Sequence, residues 1–238
     1  MRKLSGNVLK IIAMVSMLID HIGMFFFPNV TVLRIIGRLS FPIFAFMIAE
    51  GCRYTRNKLR YFLTIFILAI IVQMVYFFVE GSLFMCVLVS FSLAIPMVYA
   101  LQYFKSVLYG DKNRKQICLS LLFIVLSVGA TVGICLLVKV DYGIMGCFLP
   151  VIASLLYAPS GASDKVKSYD TIIGRVIILG IGCVALGLIK GGVQIFCLLS
   201  IPLLMLYSGQ RGRWNIKYFF YLFYPLHLVV LEGISLLV

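Results

Sequence analysis

Residues 8–27 read VLKIIAMVSMLIDHIGMFFF, an apolar run that is long enough to cross a bilayer as one helix. A transmembrane helix needs about 20 mainly apolar residues, and this run meets that requirement. The run follows Arg2 and Lys3, as the apolar part of a signal peptide would, but it has no small-x-small cleavage site. We interpret it as a retained first membrane helix.

Similar apolar runs recur along the whole chain. The 238 residues are 63% hydrophobic and 12% charged, whereas soluble domains are about 45–50% apolar and about 25% charged. The longest polar stretch, residues 159–170, is only loop-sized, so no soluble domain fits in the chain. The sequence therefore predicts an all-α fold, a polytopic transmembrane helical bundle of about nine spans (eight to ten), in a single domain covering residues 1–238. The predicted spans are residues 8–27, 34–52, 60–79, 83–104, 116–138, 141–158, 171–189, 191–208 and 218–237. Glycines and prolines interrupt the sixth and the eighth of these runs.

The positive charges indicate how the chain is oriented. The formal net charge is +13, but the Lys and Arg residues are concentrated in short segments between apolar runs, which is typical of a membrane protein rather than of a nucleic-acid-binding protein. One set of loops carries Arg2, Lys3, Lys10, Arg53, Arg56, Lys58, Arg60, Lys105, Lys112, Arg114, Lys115, Lys165, Lys167, Arg211, Arg213 and Lys217. The other set carries Arg34, Arg38, Lys139 and Lys190. This asymmetry predicts a multi-pass protein of the plasma membrane with a cytoplasmic N-terminus and no nucleic-acid partner. With a cytoplasmic N-terminus, nine spans place the C-terminus outside. Merging two neighbouring runs into one broken helix would change the count and place the C-terminus inside.

The cysteines do not indicate a metal site or a disulfide. They are scattered, mostly inside apolar runs, and form no C-x-x-C pair. We expect them to pack as small hydrophobic side chains. They are Cys52, Cys86, Cys118, Cys135, Cys147, Cys183 and Cys197.

Two ionisable residues interrupt the first apolar run. Asp20 and His21 lie in the stretch SMLIDHIG, close to its end. Ionisable side chains within a membrane are costly, so they usually face the interior of the bundle, have partners and mark function. The alternative is an Asp that pairs with an Arg only to hold two helices together.

The second run begins with two arginines on one helix face. Arg34 and Arg38 are four residues apart, and a short turn around Pro28 and Asn29 separates this run from the first. An antiparallel hairpin would bring Asp20 to either arginine. The alternative for the arginines is that they extend to the membrane surface.

The second histidine of the chain lies in the last apolar run. His227 follows Tyr224 by three residues, so both share a helix face, and Glu232 lies further along. Two histidines at a similar depth suggest a shared site, although a lone His is more often a packing residue. Glu232 is a further candidate for the same cavity.

A cluster of charges follows the second run. Glu50 precedes Gly51, and Arg53, Arg56, Lys58 and Arg60 come next. These side chains either set the topology or join Arg211, Arg213 and Lys217 in attracting an anionic cytosolic cofactor, since Arg and Lys bind phosphate. The sequence leaves both roles open.

Several motifs are shared with a known family. They are MLIDHIG (17–23), RIIGRLSFPIFAF (34–46), EGCRYTR (50–56), YSGQRGR (207–213) and YFFYLFYPLH (218–227). On these motifs, with Asp141-Tyr142-Gly143 between them, most of the chain resembles the TraX family of membrane proteins. The D-H, G-R-x-x-F-P and Y-P-x-H signals carry the resemblance, whereas the middle helices match only in character.

The resemblance implies an enzyme, a membrane-bound O- or N-acetyltransferase. The named activity of the family is N-terminal acetylation of a conjugative pilin, and the family looks related to membrane acyltransferases that use a cytosolic coenzyme A thioester. It implies acetyl-CoA, or another acyl-CoA, as co-substrate on the cytosolic side, with no metal. His21 would be the general base, Asp20, Arg34 and Arg38 would shape the site, and Tyr224 and His227 would close it. The acceptor would be an amine or a hydroxyl of a membrane-associated or extracytoplasmic partner, such as a pilin-like peptide or a glycan, and the resemblance does not fix which.

This chemistry agrees with the residues themselves. Transfer from a thioester needs a base near the attacking group and donors near the developing oxyanion, and a neutral imidazole is inexpensive to bury. Adjacent helical residues point about 100° apart, so Asp20 is not expected to orient His21. We expect the orienting group on another helix.

Two other classes of function use the same residues. A proton- or ion-coupled transporter also places Asp, Arg and His within the membrane, but it usually shows inverted repeats and paired broken helices, and we find no such repeat. A structural scaffold would bear the insertion cost of Asp20 and His21 without a function for them. The sequence favours the acyltransferase.

Overall fold

The computed structural model describes residues 4–81, 84–110, 113–213 and 217–235. Over these residues the chain is helical, with only two isolated single-residue β-bridges and no strands. The helices are α1 (Gly6–Phe25), α2 (Thr31–Gly37), α3 (Ser40–Tyr54), α4 (Lys58–Glu80), α5 (Val87–Tyr109), α6 (Arg114–Leu137), α7 (Gly143–Ala153), α8 (Asp164–Tyr169), α9 (Ile172–Lys190), a 3₁₀ helix (Gly192–Leu199), α10 (Ser200–Met205) and α11 (Lys217–Ser235). The predicted all-α class is confirmed. Arg2, Lys3 and Lys112, to which we assigned a topological role, lie outside the described residues.

Six helical segments of the described residues are long and apolar enough to cross a membrane. They are Gly6–Phe25, Thr31–Tyr54, Lys58–Phe78, Val87–Tyr109, Arg114–Leu137 and Ile172–Lys190. The apolar segments Gly143–Ala153, Gly192–Met205 and Phe219–Ser235 are shorter. The membrane character of the chain is therefore supported, and the count of nine spans stays a prediction. The interrupted sixth run corresponds to the short segment Gly143–Ala153, which contains Pro150. The interrupted eighth run corresponds to Gly192–Met205, which begins at the Gly191–Gly192 pair.

The core lies around α3 and α5. Both helices bury large apolar side chains completely, among them Ile43 and Phe46 on α3 and Ile95 and Val98 on α5. By contrast, α4 and α6 expose most of their apolar side chains, as helices facing lipid do. The hydrophobic effect cannot hold such helices together inside a bilayer, so close packing and polar contacts between helices must contribute.

The two ends of the bundle differ in their loops. We call the end with Ser5, the turn at 55–57 and the segment 206–213 the positive face, and the other end the opposite face. At the positive face the 206–213 segment covers the start of α1, where the amides of Gly6 and Asn7 donate to the carbonyls of Gln210 (2.8 Å) and Arg211 (2.9 Å). These bonds satisfy two of the four amides that a helix N-terminus leaves unpaired.

The hairpin of α1 and α2 depends on one glycine. A Cβ atom added at Gly37 would lie 2.2 Å from the Cβ of Asp20, far inside van der Waals contact. The helix breaks just after this glycine, and the hydroxyl of Ser40 donates to the carbonyl of Gly37 at the break (2.9 Å). The predicted run 34–52 is therefore two helices, α2 and α3.

Candidate functional site

Asp20 lies at the centre of an ionic cluster near the opposite face. The Nη2 atom of Arg38 lies 2.7 Å from both carboxylate oxygens of Asp20. The Nη1 atom of Arg34 lies 3.1 Å from Asp20 Oδ2 and also donates to the backbone carbonyl of Asp20 (3.2 Å). The side chains of Arg38 and Asp20 are 11% and 15% exposed, and that of Arg34 is 29% exposed. The structure thus brings together the three residues that the hairpin argument linked.

Gln194 joins this cluster from the 3₁₀ helix. Arg38 Nη1 donates to Gln194 Oε1 (3.1 Å), which connects the α1–α2 hairpin to the segment after α9. The Gln194 side chain is buried, and its Nε2 has no hydrogen-bond partner among the described residues. The sequence argument missed Gln194, although an amide inside the apolar stretch GVQIFCLL was a usable signal.

The two histidines lie against each other. The rings of His21 and His227 have centroids 5.0 Å apart in an edge-to-face arrangement. His21 Nδ1 lies 2.8 Å from the carbonyl of Met17, and His227 Nδ1 lies 2.9 Å from that of Phe223. A carbonyl only accepts, so each Nδ1 carries the hydrogen and each Nε2 keeps its lone pair.

These contacts correct one expectation about His21. The group that fixes the tautomer of His21 lies on its own helix, one turn earlier, and not on another helix as we expected. His227 Nε2 is buried without a hydrogen-bond partner in the described part of the chain. Tyr224 contacts the His227 ring (centroids 5.5 Å apart), as their spacing predicts.

A loop at the opposite face borders the ionic cluster. Tyr142 has a left-handed backbone (φ 59°) and its ring stacks on that of Phe41, with centroids 3.8 Å apart. A non-glycine residue in this conformation is strained and is often found at functional sites. Burial raises the pKa of the neighbouring Asp141 carboxyl to about 6, against the opposing effects of the Tyr142 amide and of Arg38. The Asp141 carboxyl therefore holds its proton more tightly than an exposed aspartate does.

A second ionic cluster lies near the positive face. Glu50 on α3 pairs with Arg175 on α9, and both side chains are only 6% exposed. Asp170 accepts from Arg53 (2.6 Å) and lies 3.4 Å from the Nε of Arg175. Sequence analysis named Glu50 and Arg53 but missed Arg175 and Asp170. The cluster links α3 to the start of α9, so Arg53 is already paired with a carboxylate of the chain itself.

A cavity of about 500 Å³ runs into the bundle between α1, α3, α4 and α11. Its lining at the positive face includes Lys10, Met47, Glu50, Arg60 and Arg211, and further inside it includes Met14. Its inner end is lined by Met17, Leu88, Phe91 and Tyr224. Of the predicted site residues, Glu50, Arg211 and Tyr224 line this cavity. The others do not line it, and they are Asp20, His21, Arg34, Arg38, Arg53, Arg213, His227 and Glu232.

The inner end of the cavity lies next to the histidine pair. Met17, Phe223 and Tyr224 line the cavity, and they precede His21 or His227 by three or four residues, which is one helical turn. From Lys10 to His21, α1 rises by about 16 Å at 1.5 Å per residue. One continuous space thus leads from cationic side chains at the positive face to a point one turn from two imidazoles.

Comparisons with known proteins agree with the resemblance seen in the motifs. A family model described as "TraX protein" matches residues 5–235. A probable fimbrial assembly protein, FimC of serogroup H1 from Dichelobacter nodosus, is 25% identical over 250 residues, which cover 95% of this chain and 94% of that protein. An uncharacterized protein of Rickettsia prowazekii is 48% identical over 40 residues, which are 17% of this chain and 16% of that protein. No solved structure matches.

Proposed function

This chain belongs to the TraX protein family, and we propose that it is an integral-membrane acyltransferase. It takes an acetyl group, or another short acyl group, from cytosolic coenzyme A and transfers it to an amine or hydroxyl of an acceptor in or beyond the membrane. The cavity that leads from cationic side chains to within one helical turn of the histidine pair carries this proposal. The name of the Dichelobacter nodosus relative points to an acceptor among fimbrial or pilin-like subunits, and a glycan is the alternative acceptor.

The donor enters at the positive face, which we assign to the cytosol because basic loops stay on that side. Lys10, Arg60 and Arg211 at the cavity mouth bind the phosphates, since Lys and Arg both pair with phosphate oxygens. The pantetheine arm is a long narrow chain, and it follows the cavity inward. Its thioester then lies beside His21, about 16 Å of helix from Lys10.

His21 is the general base in this mechanism. Its Nε2 lone pair takes the proton from the acceptor amine or hydroxyl as that group attacks the thioester carbonyl. The tetrahedral intermediate then collapses with cleavage of the carbon–sulfur bond, and the imidazolium returns the proton to the departing thiolate. Arg34, the most exposed member of the Asp20 cluster, stabilises the oxyanion. Asp20 and Arg38 hold α2 against α1.

The test is binding and turnover of radiolabelled acetyl-CoA by purified protein in nanodiscs. We expect saturable binding by the wild type and by His21→Ala, with slow hydrolysis or transfer only in the wild type. Ser120→Ala is the control, because Ser120 is a buried polar residue on α6, away from the cavity. Full turnover by folded His21→Ala would remove His21 from the mechanism. Absence of binding by the folded wild type would contradict the enzyme and favour the transporter.

A further inference from the structure

We propose that the chain binds an anionic phospholipid in a groove between α4, α5 and α6. The groove has a volume of about 570 Å³ and is separate from the cavity described above. Most of its lining is apolar or aromatic, and one cation, Lys58, stands at its edge. The proposal does not depend on the acyltransferase, because it concerns a different surface.

The groove exists because α4 and α6 both pack on α5. Pro96 and Tyr99 of α5 form its floor, and Lys58 of α4 and Phe123 of α6 stand on its two sides. A proline inside a helix removes one hydrogen bond and usually bends the helix, and Pro96 lies within α5. The exposed side chains of α6 around the groove are apolar, so this surface faces the hydrocarbon of the bilayer.

The lining of the groove offers little for water to bind. Most of it is apolar or aromatic, and the exposed side chains of α6 beside it are apolar. A space of this kind gives water too few polar partners, so an acyl chain is the occupant that fits.

Lys58 selects the headgroup. Its side chain is exposed, its Nζ lies 5.3 Å from the centroid of the Tyr99 ring, and the Tyr99 hydroxyl donates to its backbone carbonyl (3.3 Å). Arg114 and Lys115 begin α6 at the same face of the bundle and are also exposed. A fixed ammonium at the membrane surface attracts anionic lipid with about 1 kcal/mol. The combination of an apolar groove and an exposed cation in its lining fits an anionic phospholipid.

Fluorescence quenching by brominated lipids tests this directly. The chain has one tryptophan, Trp214. Replacing it by Trp214→Phe removes its fluorescence, and adding Phe123→Trp then places a single tryptophan in the groove. In nanodiscs we expect brominated phosphatidylglycerol to quench this tryptophan with about five-fold higher apparent affinity than brominated phosphatidylcholine. Lys58→Gln should abolish the preference, and Lys58→Arg should keep it.

Leu122→Trp in the same background is the matched control. Leu122 neighbours Phe123 on α6, is 50% exposed and does not line the groove. It should report equal quenching by the two lipids. An equal preference for phosphatidylglycerol at both positions would reflect only the general positive charge and would overturn the proposal. Equal quenching by both lipids at Phe123→Trp, or a preference that survives Lys58→Gln in monodisperse protein, would also overturn it.

Discussion

At the scale of single residues, Asp20 carries more of the site than any other side chain. It pairs with two arginines at once, Arg34 on α2 and Arg38 directly after α2. Removing one member of a buried ion pair leaves its partner unpaired, which costs about 3–5 kcal/mol. Loss of Asp20 leaves two cations unpaired, whereas loss of either arginine leaves the Asp20 carboxylate with its other arginine.

We therefore expect Asp20→Ala to lower the stability of the protein more than Arg34→Ala does. Arg34 is the more exposed arginine and its loss keeps the bond between Asp20 and Arg38. The measurement is the midpoint of thermal unfolding in one detergent, followed by loss of the monodisperse peak. Equal midpoints for the two variants would show that Asp20 does not hold the arginines as described.

The residue types predicted many members of this site, but they did not predict which other residues these members contact. Asp20, His21 and the two arginines stand out because ionisable groups are rare in apolar runs. His227 was linked to His21 by depth alone, and the rings do meet. Arg175 and Asp170 were missed because each lies near a loop where a charge is ordinary, and only the fold brings them to Glu50 and Arg53.

At the scale of helices, the α1–α2 hairpin is the element that positions the site. Its close approach depends on Gly37, where an added Cβ would lie 2.2 Å from that of Asp20. Small residues at helix contacts inside membranes allow such approach. The length and polarity of the apolar runs predicted the order of these helices but not the break between α2 and α3. Gly37 at the end of α2 and Pro42 in the first turn of α3 were usable signals for it.

We expect Gly37→Ala to push α2 away from α1, to lower the unfolding midpoint and to weaken acetyl transfer. Gly133→Ala is the control, because an added Cβ on α6 there meets nothing within 4 Å. Alanine is the better helix former by about 1 kcal/mol, so Gly133→Ala should be neutral or slightly stabilising. The same midpoint for both variants would contradict the close contact at Gly37.

At the scale of the whole molecule, one cavity leads from the positive face to within one helical turn of the histidine pair. Neither its existence nor its lining follows from the sequence, because α1, α3, α4, α5 and α11 all contribute to it and α11 lies far from the others in the chain. Sequence analysis named seven cations for an anionic donor, and these were Arg53, Arg56, Lys58, Arg60, Arg211, Arg213 and Lys217. Arg60 and Arg211 line the cavity at its mouth, together with Lys10, which was not among them. Arg53 pairs with Asp170, and Arg213 lies outside the cavity.

We expect the combined variant Lys10→Gln, Arg60→Gln to raise the Kd for acetyl-CoA by about ten-fold or more, since charge-assisted hydrogen bonds contribute about 1.5–3 kcal/mol each and the mouth is partly solvated. Turnover at saturating donor should change little, because neither residue reaches the histidines. Arg213→Gln should leave the Kd unchanged. A Kd that responds to Arg213→Gln but not to the mouth variant would place the donor elsewhere.

The most direct measurement blocks the cavity midway between its mouth and the histidines. Met14 is buried on α1 and lines the cavity, whereas Met24 on the same helix is 40% exposed. In nanodiscs, Met14→Trp should abolish acetyl transfer from acetyl-CoA while the protein keeps its helicity and its monodisperse peak, and Met24→Trp should keep full activity. Full acetyl transfer by folded Met14→Trp would show that the donor does not reach the histidine pair through this cavity, and the proposed mechanism would be wrong.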